Sequence, residues 1–220
     1  VCINYRERED CARSLVEQLT GEGCRVMAVQ ADVACREQVN AMVRQVEDAF
    51  GPVALLVNNA GVAGQALFQD ITDELWHRYF SVNVDGAYHA IQAVLPAMLH
   101  HHEGCIINTS SICGLIGHMN TPEAYTATKG AITLLTKSVA ARYGKDNIRC
   151  NSIHPATVDT PFVAALMADP VKKQARLNEI PLGRLTSVED VANAVLYLAS
   201  DEASFLNGVN LPIDGGVTCY

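Results

Sequence analysis

Short apolar runs alternate with amphipathic stretches along the whole chain. The apolar runs, which predict strands, cover residues 1–5, 25–33, 53–57, 104–109, 148–153 and 209–213. Apolar residues at helical spacing predict helices over residues 11–19, 36–50, 73–102, 124–143 and 187–199, and an interruption within 73–102 stays open. Because the strands are almost continuously apolar and alternate with helices, they favour a parallel sheet covered on both faces. The pattern predicts one doubly wound α/β domain over residues 1–220.

Several residues mark the ends of these elements. Gly144 follows the helix 124–143, and His154-Pro155 is expected to end the strand 148–153. Ser187 is suited to cap the last helix, because Asp190 occupies the third helical position after it.

The composition narrows the class of protein. With 220 residues and 49% hydrophobic content, the chain can bury one substantial core. A net charge of -8 excludes a general nucleic-acid-binding surface. No apolar run reaches the roughly 18 residues of a membrane span, and no signal peptide opens the sequence. We therefore expect a soluble, cytoplasmic protein.

Neither the cysteines nor the histidines follow a metal-site pattern. The eight cysteines are scattered without a CxxC spacing, and several lie in apolar runs, so we expect reduced, buried thiols. His100, His101 and His102 point in different directions on a helix and suit its solvated carboxyl end. The sequence predicts no metal site.

Tyr125 and Lys129 form the strongest local signal. They lie four residues apart on a predicted helix and therefore share one face. A free tyrosine has a pKa of about 10, and a nearby cation favours the ionised form. Lowering that pKa to about 7 requires about 4 kcal/mol, most of which an ammonium in a partly dry site can supply. The same spacing also describes an ordinary exposed helix pair, so its meaning depends on context.

Three other polar positions supply that context. Ser111 precedes Tyr125 by fourteen residues and follows the strand 104–109, at the sheet edge where ligands bind in such folds. Its hydroxyl can donate a hydrogen bond to a substrate carbonyl oxygen. Asn58-Asn59-Ala60-Gly61 follows another strand, and Asn83 stands inside a helix, where asparagine has poor propensity.

These motifs, together with the loop that begins Pro155-Ala156, resemble the ordered motif set of the short-chain dehydrogenase/reductase family over residues 1–216. The resemblance implies a Rossmann-like, doubly wound parallel sheet. It also implies an NAD(P)(H)-dependent oxidoreductase that interconverts a secondary alcohol and a ketone by hydride transfer. The implied roles are general acid or base for Tyr125, pKa control and ribose binding for Lys129, carbonyl orientation for Ser111, and a water of a proton relay held by Asn83.

The resemblance further implies a cofactor site. Its residues are Asp32 and Val33 at the adenine, Asn59, Ala60 and Gly61 along the cofactor, Tyr125 and Lys129 at the nicotinamide, and Val158 and Thr160 near the carboxamide and phosphates. No acidic residue closes the strand 1–5, where one selects NAD, and Arg6 offers a cation for a 2′-phosphate. We expect NADP(H) to be preferred and NAD(H) to be possible. Alternatively, Arg6 is a solvated charge beside Glu7 and Glu9.

The sequence departs from the family pattern at its amino end. It opens at Val1 inside a predicted strand and lacks the glycine-rich phosphate loop that the family places before that strand. The family's first strand is central in the order 3-2-1-4-5-6, so its absence is expected to split the sheet and to remove the helix N-terminus that binds pyrophosphate. Two interpretations stay open: a fragment of a longer active enzyme, or a truncated, non-catalytic relative that binds no cofactor.

Substrate and assembly are less closely defined. Residues 157–181, with Phe162, Leu166 and Met167, are expected to form an apolar lid, which favours an apolar or cyclic small-molecule substrate. Reductases of 3-oxoacyl carrier-protein substrates, sugar dehydrogenases and cyclic-alcohol dehydrogenases are resembled equally. The helices 73–102 and 124–143 are apolar on more than one face, and such helices pair in the family, so a homotetramer or homodimer is expected. An NAD-linked dehydrogenase running in the oxidative direction is the alternative enzyme.

Overall fold

The computed structural model describes residues 1–64 and 66–220, without the side chains of Phe162, Ala165 and Leu166. Within these residues the strands β1 to β6 cover Cys2–Tyr5, Met27–Gln30, Leu55–Asn58, Gly104–Thr109, Ile148–Pro155 and Asn210–Ile213. The helices α1 to α8 cover Glu9–Gly21, Arg36–Phe50, Asp73–Phe80, Gly86–His101, Glu123–Tyr143, Ala164–Met167, Pro170–Asn178 and Val188–Ala199. None of the described helices is long and apolar enough to cross a membrane.

All strand pairs of the described chain are parallel, and they form two sheets. One sheet consists of β1 and β2, and the other has the order β3-β4-β5-β6. The prediction of a Rossmann-like parallel α/β fold is confirmed. Between β1 and β3 no described strand completes the ladder, so the division expected from the sequence is present as a cleft between two facing strand edges.

Helices cover both faces of the larger sheet. On one face, Ile106 of β4 and Ile148 of β5 pack with Val94 and Met98 of α4 and with Val139 of α5. On the other face, Ile107 and Ile153 pack against Leu198 of α8. This two-sided burial explains why β4 and β5 read as continuous apolar runs.

Several predicted boundaries change in the structure, among them that of the strand predicted over 25–33, which is confined to Met27–Gln30. The helical stretch 73–102 is interrupted by a π-helical turn, Ser81–Asp85, between α3 and α4. The strand β5 does not end at Ile153, because its pairing with β6 continues through His154 and Pro155. The predicted cap is confirmed, since the Ser187 hydroxyl accepts from the Asp190 N–H and the Asp190 carboxylate accepts from the Ser187 N–H.

Candidate active site

The predicted chemical groups meet where β4 ends and α5 begins. β4 stops at Thr109, and Ser111 follows it in extended conformation as the cap of a short 3-10 turn over Ile112–Gly114. Tyr125 and Lys129 lie in the first two turns of α5, beside the same strand end. The sequence order β4, turn, α5 therefore places a hydroxyl, a phenol and an ammonium at one edge of the sheet.

Lys129 is held beneath the tyrosine rather than at its hydroxyl. The lysine is only 5% exposed, and its Nζ donates a hydrogen bond of 2.8 Å to the Thr109 carbonyl. The same Nζ lies 5.5 Å from the centre of the Tyr125 ring. Burial lowers the pKa of Lys129 to about 8, and the nearby Cys113 acts in the opposite direction.

The Tyr125 phenol keeps its proton in this structure. Burial is the main cause that raises the pKa of Tyr125, the neighbouring Cys113 raises it further, and a hydrogen bond with Ser111 partly offsets both. Lys129 is not among the causes of this rise in pKa, because its ammonium is turned toward the Thr109 carbonyl; that it lowers the pKa beside a bound nicotinamide stays a prediction. At neutral pH the geometry offers a proton donor.

Asn83 ties the Asn58-Asn59-Ala60-Gly61 turn to α5. It is 3% exposed and lies in the π-helical turn. Its Oδ1 accepts from the Val62 N–H at 2.7 Å, and its Nδ2 donates to the Val62 carbonyl at 2.9 Å and to the Thr128 hydroxyl at 3.0 Å. The side chain is thus held by three hydrogen bonds, which accounts for an asparagine at a position with poor helix propensity.

The cleft between the two sheets collects part of the predicted cofactor set. It has a volume of about 690 Å³, and among its lining residues are Val33, Asn59, Ala60, Asn83 and Thr109. Asp32 adjoins Val33, and its carboxylate accepts from the Ala34 N–H at 2.9 Å. Val33 at the predicted adenine end and Asn59 and Ala60 along the predicted cofactor path therefore open into one space. The other predicted cofactor residues do not belong to its lining, namely Arg6, Asp32, Gly61, Tyr125, Lys129, Val158 and Thr160.

Three of the predicted residues outside the cleft lining, Arg6, Val158 and Thr160, have contacts of their own. Arg6 forms ion pairs of 2.5 Å with Glu7 and 3.9 Å with Asp32, and its side chain is 43% exposed. This arrangement is compatible with a 2′-phosphate contact and equally with a solvated charge, because a partly neutralised Arg6 still lies beside the predicted adenine residue. Val158 bridges to Thr186, and the Thr160 hydroxyl lies 3.4 Å from the Val158 carbonyl.

The segment predicted to form a lid is attached to the loop that follows Ser111. Arg176 of α7 donates to Glu179 at 3.0 Å and to the Asn120 carbonyl at 3.2 Å, and Glu179 lies 3.2 Å from His118 Nε2. Of the predicted apolar lid residues, Met167 is half-buried, and the side chains of Phe162 and Leu166 lie outside the described part of the structure.

A nicotinamide dinucleotide fits this site in part. A Cβ on Gly61 would lie 3.4 Å from Asn83 Oδ1 and 3.7 Å from Lys129 Nζ, so the bare glycine keeps the approach to the ammonium open. The exposed Asn59 and Ala60 line the same path. The sequence contains no G-x-G-x-x-G run for a pyrophosphate. The fit is therefore good at the nicotinamide end and incomplete at the phosphates.

The structure adds polar residues that the sequence reasoning did not assign. Asn108 is fully buried, accepts from Asn58 Nδ2 at 2.9 Å and donates to the Thr136 hydroxyl at 2.9 Å. His154 is also fully buried, with its Nδ1 2.8 Å from the Ser111 carbonyl. The signal for both was a polar side chain within an apolar strand, since such a group requires a partner. Within the described residues, no cluster of histidine, cysteine or carboxylate side chains is suited to a metal ion.

Comparisons with known proteins agree with this geometry. A family model described as enoyl-(acyl carrier protein) reductase matches residues 1–218. The 3-oxoacyl-[acyl-carrier-protein] reductase FabG of Staphylococcus aureus is 35% identical over 99% of this chain and 87% of its own length. The L-rhamnose 1-dehydrogenase (NAD(P)(+)) of a Sphingomonas species is 37% identical over 99% of this chain and 85% of its own.

A solved structure gives the same result in three dimensions. A gluconate 5-dehydrogenase from Burkholderia cenocepacia, in complex with NADP and tartrate, superimposes with a TM-score of 0.94 at 33% identity, over 100% of this chain and 85% of that protein. Similarity of this extent shows that the chain belongs to the short-chain dehydrogenase/reductase family of NAD(P)-dependent oxidoreductases.

Proposed function

We propose that this protein interconverts a secondary alcohol and a ketone by hydride transfer, with Tyr125 as the acid or base. The observation that carries the proposal is the convergence of Ser111, Tyr125 and the buried Lys129 at the carboxyl end of β4. A protonated phenol beside a serine hydroxyl and above an ammonium is the set of groups needed to neutralise an oxygen that gains negative charge.

In the direction of reduction, Tyr125 and Lys129 would hold the nicotinamide ribose, and a bound reduced nicotinamide would supply the hydride. The Ser111 hydroxyl donates a hydrogen bond to the substrate oxygen and orients the carbonyl. Tyr125 gives its proton to that oxygen as the alkoxide forms, and the positive charge of Lys129 stabilises the phenolate left behind. In the oxidative direction the phenolate takes the proton back. Asn83 holds the turn Asn58-Asn59-Ala60-Gly61 against α5, and we propose that it also positions the water through which Tyr125 is reprotonated.

The substrate is a small molecule, and the nature of the relatives defines the first compounds to test. The protein is assayed with NADPH and NADH against a 3-oxoacyl thioester (acetoacetyl-CoA), 5-ketogluconate and cyclopentanone, and with NADP+ and NAD+ in the oxidative direction against L-rhamnose. We expect turnover with at least one of them and a loss of about a thousandfold or more in Tyr125→Phe. Tyr143→Phe, on the same helix α5 but at its far end, is the matched control. Equal activity in wild type and Tyr125→Phe would contradict the proposal.

For the cofactor we propose a preference for NADP(H), with NAD(H) accepted. The support is the position of Arg6 beside Asp32, at the predicted adenine end of the cleft. Arg6→Ala is expected to lower the NADPH-to-NADH ratio of kcat/KM about tenfold, the value of one charge-assisted contact. Arg13→Ala, an exposed arginine of α1 that pairs with Glu9, is the control. An unchanged ratio in Arg6→Ala would mean that Arg6 is only a surface charge.

We also propose a homotetramer or homodimer that acts in the cytoplasm. Tyr88 on α4 and Leu134 on α5 expose 43% and 68% of their surface on helices of the kind that pair in the family. All eight cysteines are free thiols, which suits a reducing compartment. Light scattering of the full-length protein is expected to give a mass at least twice that of one chain, and a monomer would contradict this part of the proposal.

One observation favours a second candidate, a non-catalytic relative without its own cofactor. The cleft leaves β1 and β3 unpaired on their facing edges, and no glycine-rich turn adjoins it within residues 1–64 and 66–220. Fluorescence titration of the 220-residue chain with NADPH distinguishes the two. Saturable binding supports the enzyme. Absence of binding both in this chain and in a version extended at its amino end supports the second candidate, whereas binding by the extended version alone leaves the enzyme proposal in place for the longer protein.

A further inference from the structure

Behind Ser111 runs a buried chain of hydrogen bonds that the proposed chemistry does not use. His154 of β5 is fully buried, and its Nδ1 lies 2.8 Å from the Ser111 carbonyl. Its Nε2 lies 2.8 Å from the hydroxyl of Ser152, which is itself fully buried. The Ser152 Oγ is in turn 3.0 Å from the side-chain amide of Asn210 on β6. These hydrogen bonds thus link the backbone of a proposed catalytic residue to the sheet.

The protons of this chain can be assigned from its chemistry. A carbonyl oxygen only accepts, so His154 Nδ1 carries the hydrogen that bonds Ser111. Burial is the main cause that lowers the pKa of His154, and the positive charge of Lys129 acts in the same direction, so the ring is neutral at pH 7. Its Nε2 then accepts the hydrogen of Ser152. The Asn210 amide completes the chain when it is turned to present its NH2 group.

The Ser111 turn is held from two sides. Its carbonyl accepts from the Gly114 N–H at 2.9 Å as well as from His154, and its Oγ accepts from the Cys113 N–H at 3.2 Å. A Cβ on Gly114 would lie 2.5 Å from Ser110 Oγ and 2.7 Å from the Lys129 carbonyl, so the turn has no space to move toward α5. From the β5 side, His154 is the group that fixes the carbonyl.

We propose that His154 is a positioning residue that sets the direction of the Ser111 hydroxyl by fixing the Ser111 carbonyl, with Ser152 selecting the tautomer that can do so. The inference rests on the proposed function, because it acts through the proposed role of Ser111. Loss of the Nδ1 hydrogen lets the peptide plane of Ser111 rotate, which moves the hydroxyl away from the substrate oxygen. Positions of reacting groups are sensitive to such displacements, since about 1 Å can cost about a hundredfold in rate.

The test is a double-mutant cycle on the full-length protein, with the carbonyl substrate that gives turnover and NADPH. His154→Phe is expected to lower kcat about tenfold and to leave the KM for NADPH unchanged. In a Ser111→Ala background, the same substitution is expected to have no further effect on kcat, because there is no hydroxyl left to position. His154→Asn, which keeps an N–H near the Nδ1 position, is expected to recover most of the loss.

A second histidine offers a matched control. His89 of α4 is 9% exposed, and its Nδ1 lies 3.0 Å from the Val33 carbonyl, a contact of the same kind at the adenine end of the cleft. His89→Phe is expected to raise the KM for NADPH without changing kcat. If His154→Phe does not fold, Ser152→Ala, which keeps the imidazole but removes its donor, is expected to give about a threefold loss of kcat that again vanishes in the Ser111→Ala background.

The outcomes separate the two proposals. An equal loss of kcat from His154→Phe in both backgrounds would overturn the positioning role and leave the proposed enzyme activity intact. Wild-type turnover with no loss in His154→Phe would do the same. Turnover that survives in both Ser111→Ala and Tyr125→Phe would refute the proposed function itself, and the role of His154 would fall with it.

Discussion

The burial of the Lys129 ammonium leads to a quantitative prediction about the free energy of unfolding. Its pKa is about 8 in the folded chain against an ordinary value of 10.5. At about 1.36 kcal/mol per pH unit, this pKa difference corresponds to roughly 3 kcal/mol. The folded state is destabilised by that amount when the lysine is charged. Lys129→Met removes the charge but leaves the Thr109 carbonyl without its donor, at a cost of about 1 kcal/mol. We expect the variant to be about 2 kcal/mol more stable than wild type at pH 7.

The pH dependence follows from the direction of the shift. Between pH 8 and 10.5 the unfolded chain holds a proton on Lys129 that the folded chain has lost, so the stability of the wild type rises with pH through this window. Below pH 8 the full penalty is present. Relative to Lys129→Met, the wild type should therefore gain about 2.5 kcal/mol from pH 7 to pH 10.

The assay is urea-induced unfolding at pH 7 and pH 10, followed by circular dichroism, with the free energy of unfolding extrapolated to water. Comparing the two proteins at each pH cancels the titration of the other groups that they share. Lys137→Met, an exposed lysine two turns further along α5, is the control and should follow the wild type. If the free energies of unfolding of the wild type and of Lys129→Met change by the same amount between the two pH values, the conclusion that burial destabilises this ammonium is wrong.

Three further substitutions test other parts of the structure. Asn108→Ala should lower the free energy of unfolding by about 2–3 kcal/mol in the same urea assay, because it leaves buried partners of its two hydrogen bonds unsatisfied. Gly86→Ala places a Cβ 2.7 Å from Val33 Cγ2 and should raise the KM for NADPH while kcat changes little. Ser187→Ala removes the cap of α8 and should lower the melting temperature, at a cost of about 1 kcal/mol. An unchanged free energy of unfolding, KM or melting temperature in one of these variants would contradict the role given to the corresponding contact.

The apolar periodicity predicted most of the fold, because strands that are buried on two faces have a simple, almost continuously apolar sequence pattern. The bounds of α2 and β4 agree with the sequence expectation, since each has a clear apolar pattern, Gly51 follows α2 and Gly104 begins β4. The position of the π-helical turn at Ser81–Asp85 could not be predicted from this pattern, because helical spacing continues through it. The extension of β5 through Pro155 depends on pairing with β6, which lies more than fifty residues further along the chain and is invisible to a local pattern.

The sequence predicted which side chains lie together at the candidate site, but not the electrostatics of these side chains. Spacing placed Tyr125 and Lys129 on one helix face and Ser111 after a strand end, and the family resemblance implied that the three act together. The direction in which the Lys129 ammonium points is decided by the Thr109 carbonyl, and the balance between burial and attraction at Tyr125 depends on the surrounding packing. Neither can be obtained from residue types alone. The contact of His154 with Ser111 was likewise out of reach, because it joins residues 43 positions apart.

The division of the sheet has a consequence for local motion. β1, α1 and β2 pack chiefly on one another, and β1 shares its backbone hydrogen bonds with β2 alone among the described strands. A unit with so few ties to the main sheet can open without unfolding the rest, so its amide hydrogens should exchange with solvent much faster than those of β4 and β5. A nucleotide that spans the cleft would join Val33 to Asn59 and hold the unit closed. Slowed deuterium uptake in residues 2–30 would then report nucleotide binding directly, without any turnover.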